Sequence, residues 1–293
     1  MAGAATGDLQ CIADVRAVLG EGPIWVAREK ALYWVDIKGL KIFSLDDRGE
    51  LRTWETPFRI GSLAPRREMG FIAGTDRGFV AVDLTEERFD LLHNPEEDRE
   101  DNRFNDGKVD RSGRFWAGSM DDTEQASSGS LYRLDPDLSS ARVDDGYKVT
   151  NGPAFSPDGR IMYHTDSARQ IIYAFDLDEA GNPSNKRIFK SFSEGEGYPD
   201  GMTVDAEGCL WTAFWDGWCL RRFSPSGECI QIVDMPVQRP TSCAFGGPDL
   251  DLLYITSASI GLDEKALGMQ PYAGGLFLLK AGVAGIAEVP FAG

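Results

Sequence analysis

The sequence predicts an all-β fold, a six-bladed β-propeller with four-stranded blades around a central channel. Three observations predict it: a strand–turn–strand unit that recurs along the chain, the even spacing of its copies, and the scarcity of helical periodicity. The clearest copy runs from Asn151 to Asp166, with a Pro-Asp-Gly turn at Pro157–Gly159 between two apolar strands. Proline and glycine set the turn dihedrals, and alternating apolar residues indicate the flanking strands.

One aromatic residue in the second strand of each copy marks the register of the repeat. These markers are Tyr33, Phe71, Phe115, Tyr163, Trp211 and Tyr254. Consecutive markers are 38, 44, 48, 48 and 43 residues apart. A unit of this length cannot bury a core alone, so the spacing indicates a repeat architecture, and radially repeated four-stranded units are propeller blades. We therefore expect residues 1–293 to form a single propeller domain, with residues 1–9 as a flexible tail.

Two further strand-like runs complete each unit. The third strands are predicted at Lys41–Leu45, Phe79–Leu84, Ser130–Leu134, Ile171–Leu177, Cys219–Phe223 and Gly275–Leu279. The outer strands are predicted at Leu51–Thr56, Phe89–His93, Ala141–Val149, Lys186–Phe192 and Cys229–Val233. Only Asp263–Met269 suggests a short helix. Cys11–Leu19 precedes the first inner strand, so we expect it to complete the last blade, although Ile286–Phe291 competes for that place.

A polar residue recurs at the equivalent position of every inner strand, which lines the channel in a propeller. The six residues are Glu21, Ser62, Asn105, Asn151, Asp200 and Thr241. We expect them to surround one mouth of the channel. Two carboxylates and two amides would be costly there unless paired or bound to a cation. The oxygen-only set suits Ca²⁺, Mg²⁺ or Mn²⁺, and the alternative is a hydrated polar lining without metal.

Composition narrows the classes of partner and reaction. The net charge of −17 disfavours nucleic acid and anionic membrane surfaces as partners. The two histidines, His93 and His164, fall in separate blades, which argues against a histidine zinc site or a Ser-His-Asp triad. The five cysteines form no CxxC pair, and the N-terminus lacks the features of a secretory signal, so we expect a cytoplasmic protein.

Four segments carry a resemblance to a known family. They are Gly20–Pro23, Asn102–Lys108, Thr150–Pro153 and Tyr198–Gly201. They resemble hallmark segments of the senescence-marker-protein/gluconolactonase/regucalcin-like family, and the likeness extends from about residue 15 to residue 280. The resemblance implies a six-bladed propeller that holds one divalent cation in its channel and hydrolyses sugar lactones.

The resemblance also implies roles for individual residues. The metal ligands fall on Glu21, Asn151 and Asp200, and the substrate-contacting positions fall on Arg103 and Asn105. Asp200 is also the candidate general base for the attacking water. Calcium is the first choice of cation, with zinc, manganese, magnesium or iron as alternatives. After Gly-Ser-Met, relatives often carry a substrate-contacting glutamate where this chain has the run Asp121–Glu124, so the sugar preference stays open.

The resulting hypothesis is a divalent-metal-dependent lactonase, a monomer acting on gluconolactone or xylonolactone without nucleic acid or membrane partners. The first alternative is an organophosphate-hydrolysing propeller of the diisopropyl fluorophosphatase type. The second is a calcium-binding propeller that is not an enzyme. Fold alone does not separate the three.

Local expectations complete the sequence-based picture. In a regular strand Asp106 points away from Asn105, which would remove it from the site. His164 is expected to be structural rather than catalytic. The loops Glu96–Asn102 and Thr123–Ser128 are candidates for a lid over the channel mouth.

Overall fold

The computed structural model describes residues 9–293, which form six antiparallel four-stranded sheets. The innermost strand of each sheet contacts the innermost strands of both neighbouring sheets, so the sheets close into a ring around a channel. The predicted six-bladed β-propeller is therefore confirmed. Of the expected N-terminal tail, residues 1–8 lie outside the described residues, and Leu9 packs partly buried against a hydrophobic cluster in the last two blades.

The strands follow one another from the channel outwards in each blade. They are β1 (Gln10–Ala13), β2 (Gly20–Val26), β3 (Ala31–Asp36), β4 (Lys41–Asp46), β5 (Leu51–Glu55), β6 (Ile60–Pro65), β7 (Phe71–Thr75), β8 (Gly78–Asp83), β9 (Arg88–His93), β10 (Asn102–Val109), β11 (Phe115–Asp121), β12 (Gly129–Leu134), β13 (Ser140–Tyr147), β14 (Thr150–Phe155), β15 (Ile161–Asp166), β16 (Ile171–Leu177), β17 (Pro183–Ser191), β18 (Tyr198–Val204), β19 (Leu210–Trp215), β20 (Cys219–Phe223), β21 (Cys229–Asp234), β22 (Pro240–Gly246), β23 (Leu252–Ser257) and β24 (Leu276–Lys280). A short helix, α1 (Glu264–Met269), follows β23, and the Asp263 carboxylate caps it by accepting a hydrogen bond from Ala266 N.

The N-terminal strand closes the ring. β1 pairs antiparallel with β24 and is the outermost strand of the last blade, in the order β1-β24-β23-β22. The predicted strand was Cys11–Leu19. The observed strand is shorter: it ends at Ala13, and residues 14–19 lead towards β2. The competing segment Ile286–Phe291 does not join this sheet, and Phe291 instead forms a parallel bridge with Arg66 of the second blade.

Every innermost strand contains a break in register near its polar channel residue. The breaks lie between Glu21 and Ile24, Ile60 and Ser62, Phe104 and Gly107, Asn151 and Ala154, Pro199 and Met202, and Pro240 and Ser242. A β-bulge of this kind bends the strand and changes the direction of its side chains. Consequently two successive residues of one strand can both face the channel, as happens in the third blade.

Apolar side chains between adjacent blades form the core. All six aromatic marker residues are buried, and the largest cluster combines residues of the first three blades. Trp116 and Trp211 are fully buried and donate indole hydrogen bonds of 2.9 Å to Asp110 and Asp205, at equivalent places in their blades. The repeat therefore preserves both the packing and the satisfaction of buried polar groups. Within residues 9–293, no helix is long and apolar enough to cross a membrane.

Candidate active site

One mouth of the channel opens into a cavity of about 510 Å³. Its lining includes Glu21, Arg103, Asn105, Asn151 and Asp200, which come from the starts of β2, β10, β14 and β18. All five side chains are buried. The structure thus brings the five site residues singled out in the sequence to one cavity, because equivalent positions of successive blades meet at the same end of the channel.

The other two members of the expected polar set do not line the cavity. Thr241 donates a hydrogen bond of 2.5 Å to the carbonyl of Gly20, so its hydroxyl is used between blades. Ser62 Oγ lies 2.7 Å from where a Cβ at Gly107 would be, which directs it towards the backbone of the third blade. The expectation of six residues around the mouth was therefore wrong for these two. Their short side chains lie against the backbone of a neighbouring blade instead.

Hydrogen bonds fix the orientation of the Asn151 amide. The Ser167 hydroxyl donates to the carbonyl of Pro199 at 2.6 Å, so its oxygen accepts from Asn151 Nδ2 at 2.9 Å. Asn151 Oδ1 in turn accepts from Asn105 Nδ2 at 3.1 Å. A carbonyl oxygen has two lone pairs, so Asn151 Oδ1 keeps one for a ligand in the cavity.

The two carboxylates of the site carry electrostatic strain. Burial, followed by repulsion from Asp200 and Asp106, raises the pKa of Glu21 well above its usual range. Burial, followed by repulsion from Asp106, likewise raises the pKa of Asp200. Buried like charges disfavour the ionised state unless a cation compensates them.

This donor set fits a divalent cation. Glu21 and Asp200 provide two negative charges, and Asn151 adds an oriented neutral oxygen, which is hard-ligand chemistry. In the described part of the chain, no group of three or more histidine, cysteine, aspartate or glutamate side chains is close enough to hold a metal by itself. A cation here would therefore depend on the Asn151 oxygen and on water or substrate for its remaining ligands.

Asp106 is a residue that sequence reasoning missed. It was expected to point away from Asn105, yet it is buried, and its Oδ2 accepts a hydrogen bond of 2.9 Å from the backbone N of Gly152, next to Asn151. The register break in β10 turns it inwards. Burial raises the pKa of Asp106 to about 6. The sequence carries no clear signal for this bulge, so the inward direction of the Asp106 side chain could not be predicted.

Arg103 contacts the site rather than the acidic loop before it. Its Nη1 donates to Asn105 Oδ1 at 2.6 Å, and its Nε donates to Asp122 Oδ1 at 2.6 Å. Of the run Asp121–Glu124, Asp122 and Glu124 line the cavity. Asp121 instead accepts backbone hydrogen bonds from Thr123, Gln125 and Ala126, within its own loop. The acidic run thus supplies one carboxylate that fixes Arg103 and one that fixes the loop.

The candidate lid loops lie against each other beside the cavity. Asn102 accepts a hydrogen bond of 2.6 Å from the Ser128 hydroxyl, and Asp122 N donates to the carbonyl of Asp101 at 2.9 Å. Only Glu124 of these two loops lines the cavity. His164 is buried outside it, packed edge-on against Tyr147, and burial lowers its pKa to about 4, which leaves it neutral at pH 7.

Fold and site together define a class of protein. It is a six-bladed β-propeller whose channel mouth carries two buried carboxylates and an oriented amide, a donor set that suits a divalent cation. Comparison with known proteins gives the family. The model of the SMP-30/Gluconolactonase/LRE-like region matches residues 19–259. The chain therefore belongs to the SMP-30/gluconolactonase/LRE-like family.

Individual relatives are similar over almost the whole chain. The 6-deoxy-6-sulfogluconolactonase of Pseudomonas putida is 37% identical over 287 residues, covering 97% of this chain and 99% of that protein. Regucalcin of Xenopus laevis is 37% identical over 294 residues, covering 97% and 98%. Among solved structures, a calcium-binding regucalcin from Agrobacterium tumefaciens superposes with a TM-score of 0.93 at 27% identity, covering 97% of each chain.

Proposed function

We propose that this protein hydrolyses an aldonolactone to the free sugar acid in a reaction that depends on a divalent cation. Family membership and the 37% identity to a protein named as a sulfogluconolactonase support a hydrolase of the lactonase type. The observation that carries the proposal is the convergence of Glu21, Asp200 and the oriented Asn151 amide on a cavity whose wall includes Arg103. The comparisons favour neither an organophosphate hydrolase nor a non-enzymatic propeller.

Glu21, Asn151 and Asp200 would hold the cation, and calcium is the first choice because one solved relative is described as calcium-binding. Zinc, manganese, magnesium and iron are the alternatives that oxygen ligands of this kind also accept. When bound, a divalent cation acts as a Lewis acid that polarises a carbonyl and lowers the pKa of water.

The chain's own residues would orient the substrate and move the proton. Arg103 is fixed by Asn105 and Asp122, so its guanidinium offers its remaining donors to the lactone hydroxyls. Asp200 accepts a proton from the attacking water. The water oxygen bonds to the carbonyl carbon, the ring C–O bond breaks, and the ring oxygen takes the proton held by Asp200, which gives a hydroxyl and a carboxylic acid and regenerates the Asp200 carboxylate.

The test measures acid release from glucono- and xylonolactone at slightly acidic pH, where spontaneous opening is slower. Metal-stripped protein is compared with samples given Ca²⁺, Mg²⁺, Mn²⁺, Fe²⁺ or Zn²⁺. We expect turnover only after a cation is restored, and its loss in Glu21→Gln. The exposed Glu55→Gln in the same blade is the matched control and should behave as the wild type. Tight metal binding without turnover of any lactone would refute the proposal.

Location and assembly are part of the same proposal. All five cysteines are free thiols, which supports a reducing, cytoplasmic compartment. We propose a monomer that acts on a small molecule, and sedimentation of the purified protein tests this directly.

A further inference from the structure

We propose that the lactone carries an anionic group at the end remote from its carbonyl, and that Lys38 and Arg103, which share the carboxylate of Asp122 with Arg59, line the subsite that binds it. The inference rests on the proposed lactonase function and specifies its substrate class. The shared chemistry of the group is a phosphate, sulfonate or carboxylate on the sugar, any of which guanidinium and ammonium groups bind.

Three cations converge on a single carboxylate in this part of the molecule. Asp122 Oδ1 accepts from Lys38 Nζ at 2.7 Å and from Arg103 Nε at 2.6 Å. Asp122 Oδ2 accepts from Arg59 Nη1 at 2.7 Å. Each cation has Asp122 as its only ion-pair partner among residues 9–293. One negative charge cannot balance three positive ones, so the cluster keeps an excess of two positive charges.

The excess faces the cavity. Lys38 and Arg103 line the cavity, whereas Arg59 pairs with Asp122 without lining it. Arg59 can therefore neutralise Asp122 while leaving the charges of Lys38 and Arg103 available to a ligand. Both side chains are largely shielded from solvent, with exposed fractions of 25% for Lys38 and 5% for Arg103. Shielding strengthens their attraction for an anion, because a lower local dielectric weakens the screening of charge.

A chain of hydrogen bonds connects the cluster to the proposed reacting end of the cavity. Asn151 Oδ1 accepts from Asn105, Asn105 Oδ1 accepts from Arg103, and Arg103 continues to Asp122. Since Glu21, Asp200, Arg103 and Lys38 line one cavity, we place the lactone carbonyl beside Glu21 and Asp200 and the other end of the sugar along this chain of contacts. Arg103 would contact the middle of the substrate, and Lys38 would meet its far end.

The charge of the whole protein makes the local excess informative. With a net charge of −17, the molecule as a whole repels anions. If Glu21 and Asp200 are neutralised by a divalent cation, the remaining charged residues that line the cavity are Lys38, Arg103, Lys148 and Arg239 against Asp122 and Glu124. Because Arg239 is already paired with Asp216 at 2.7 Å, three positive and two negative charges remain, which leaves the cavity positive within an acidic protein. Such a local field selects an anionic ligand over a neutral one.

The experiment measures the ratio of kcat/KM for anionic lactones to kcat/KM for neutral glucono-1,5-lactone. The anionic substrates are 6-phosphogluconolactone, a 6-sulfonated gluconolactone and a glucarolactone, so the three arms distinguish phosphate, sulfonate and carboxylate. We expect at least one ratio above about ten at low salt, decreasing as salt screens the charges. Lys38→Met should lower that ratio about tenfold, and Arg59→Met should lower it about threefold.

The control is Lys41→Met, which removes a partly exposed lysine of the same blade that does not line the cavity. It should retain both the ratio and the basal activity. A wild-type protein that opens gluconolactone but prefers none of the anionic substrates overturns the inference and leaves the proposed function standing. A preference that survives in both Lys38→Met and Arg59→Met also overturns it. Failure to open any lactone refutes the proposed function itself, which is a separate outcome.

Discussion

The two ends of the central channel are built on opposite principles. At the open end, Glu21 and Asp200 are buried close enough to other carboxylates that their pKa values rise. At the other end, the C-terminal segment, residues 281–293, crosses the channel and hydrogen-bonds to four blades. At one end buried carboxylates repel one another, whereas at the other end the polar groups are satisfied within the protein. Activity and stability are therefore expected to depend on different ends of the same channel.

The end of the channel that residues 281–293 cover, called the sealed end below, is held by packing and by backbone hydrogen bonds. Gly285 N donates to Leu250 O at 2.7 Å, Phe291 N donates to Pro65 O at 2.8 Å, and Ala292 N donates to Gly113 O at 2.9 Å. Phe291 is fully buried in the core cluster of the first three blades. Within the channel wall, Lys108 pairs with Glu288 at 3.4 Å. The segment thus links blades that are far apart in sequence.

The largest expected effect comes from removing one charge at the open end. Asp200→Asn keeps the shape of the side chain but takes away the charge of the proposed metal ligand and the proposed base, so kcat/KM should fall at least about a thousandfold. The metal-free variant should unfold at a temperature a few degrees higher than the wild type, because a buried repulsion is relieved. Lactone turnover and thermal unfolding of chelator-treated protein measure the two effects. A variant that loses both activity and stability would contradict this account of the open end.

The second effect concerns the sealed end, where a substitution should lower stability but leave activity unchanged. Phe291→Ala removes a fully buried aromatic ring, which should cost about 3–5 kcal/mol of unfolding free energy. The activity of the folded fraction should be retained, because Phe291 does not line the cavity.

Urea denaturation and kcat of the folded protein check this prediction. The partly buried neighbour provides a graded control, since Val289→Ala should cost less than Phe291→Ala. If Phe291→Ala lowered kcat as strongly as Asp200→Asn, the two ends could not be treated as separable.

The fold could be predicted well from the sequence because the same structural signals recur in every blade. Each blade repeats the same turn and the same buried aromatic, so an error in one copy is corrected by the others. The N-terminal strand was expected to close the ring, but the sequence did not decide between it and Ile286–Phe291, and the shortness of the strand was not predicted. The extent of β1 depends on pairing with β24, which lies at the other end of the chain.

The location of the candidate site could be predicted from the sequence, but the full set of residues around it could not. Glu21, Asn151 and Asp200 could be placed at one mouth because blade register carries them there. Asp106 was missed because a bulge, which depends on tertiary packing, reverses the side-chain direction expected in a regular strand. The cation cluster on Asp122 was missed because Lys38, Arg59 and Arg103 belong to different blades and no single motif contains them.

A third, smaller effect concerns the loop after β11, which borders the open end. Backbone hydrogen bonds from Ala126 and Thr123 lower the pKa of Asp121 to about 2. A carboxylate whose pKa is lowered on folding stabilises the fold above its unfolded pKa, near 3.8, and loses that contribution as pH falls through 2. The loop should therefore keep its order at pH 4, and Asp121→Ala should increase amide exchange at Gln125 and Ala126 about tenfold.

Hydrogen exchange measured by residue checks the loop prediction. Asp137→Ala is the matched control, because Asp137 also accepts a backbone hydrogen bond, from Ser139, in a loop remote from the cavity. It should leave exchange at Gln125 and Ala126 unchanged. Equal protection of both amides in wild type and Asp121→Ala would show that the lid contacts, rather than Asp121, hold this loop.

The smallest effect tests how closed the channel wall is between its two ends. Cys243 on β22 is fully buried, and burial raises the pKa of its thiol to about 12, whereas Cys229 on β21 is exposed. Since the thiolate is the reactive species, a thiol reagent at pH 8 should label Cys229 quickly and Cys243 only on unfolding. Cys229→Ser should remove the fast phase and leave only slower labelling of the partly buried Cys11, without changing lactone turnover. Fast labelling of Cys243 in the folded protein would mean that the channel admits the reagent beyond the cavity, so that the open mouth extends deeper than the structure shows.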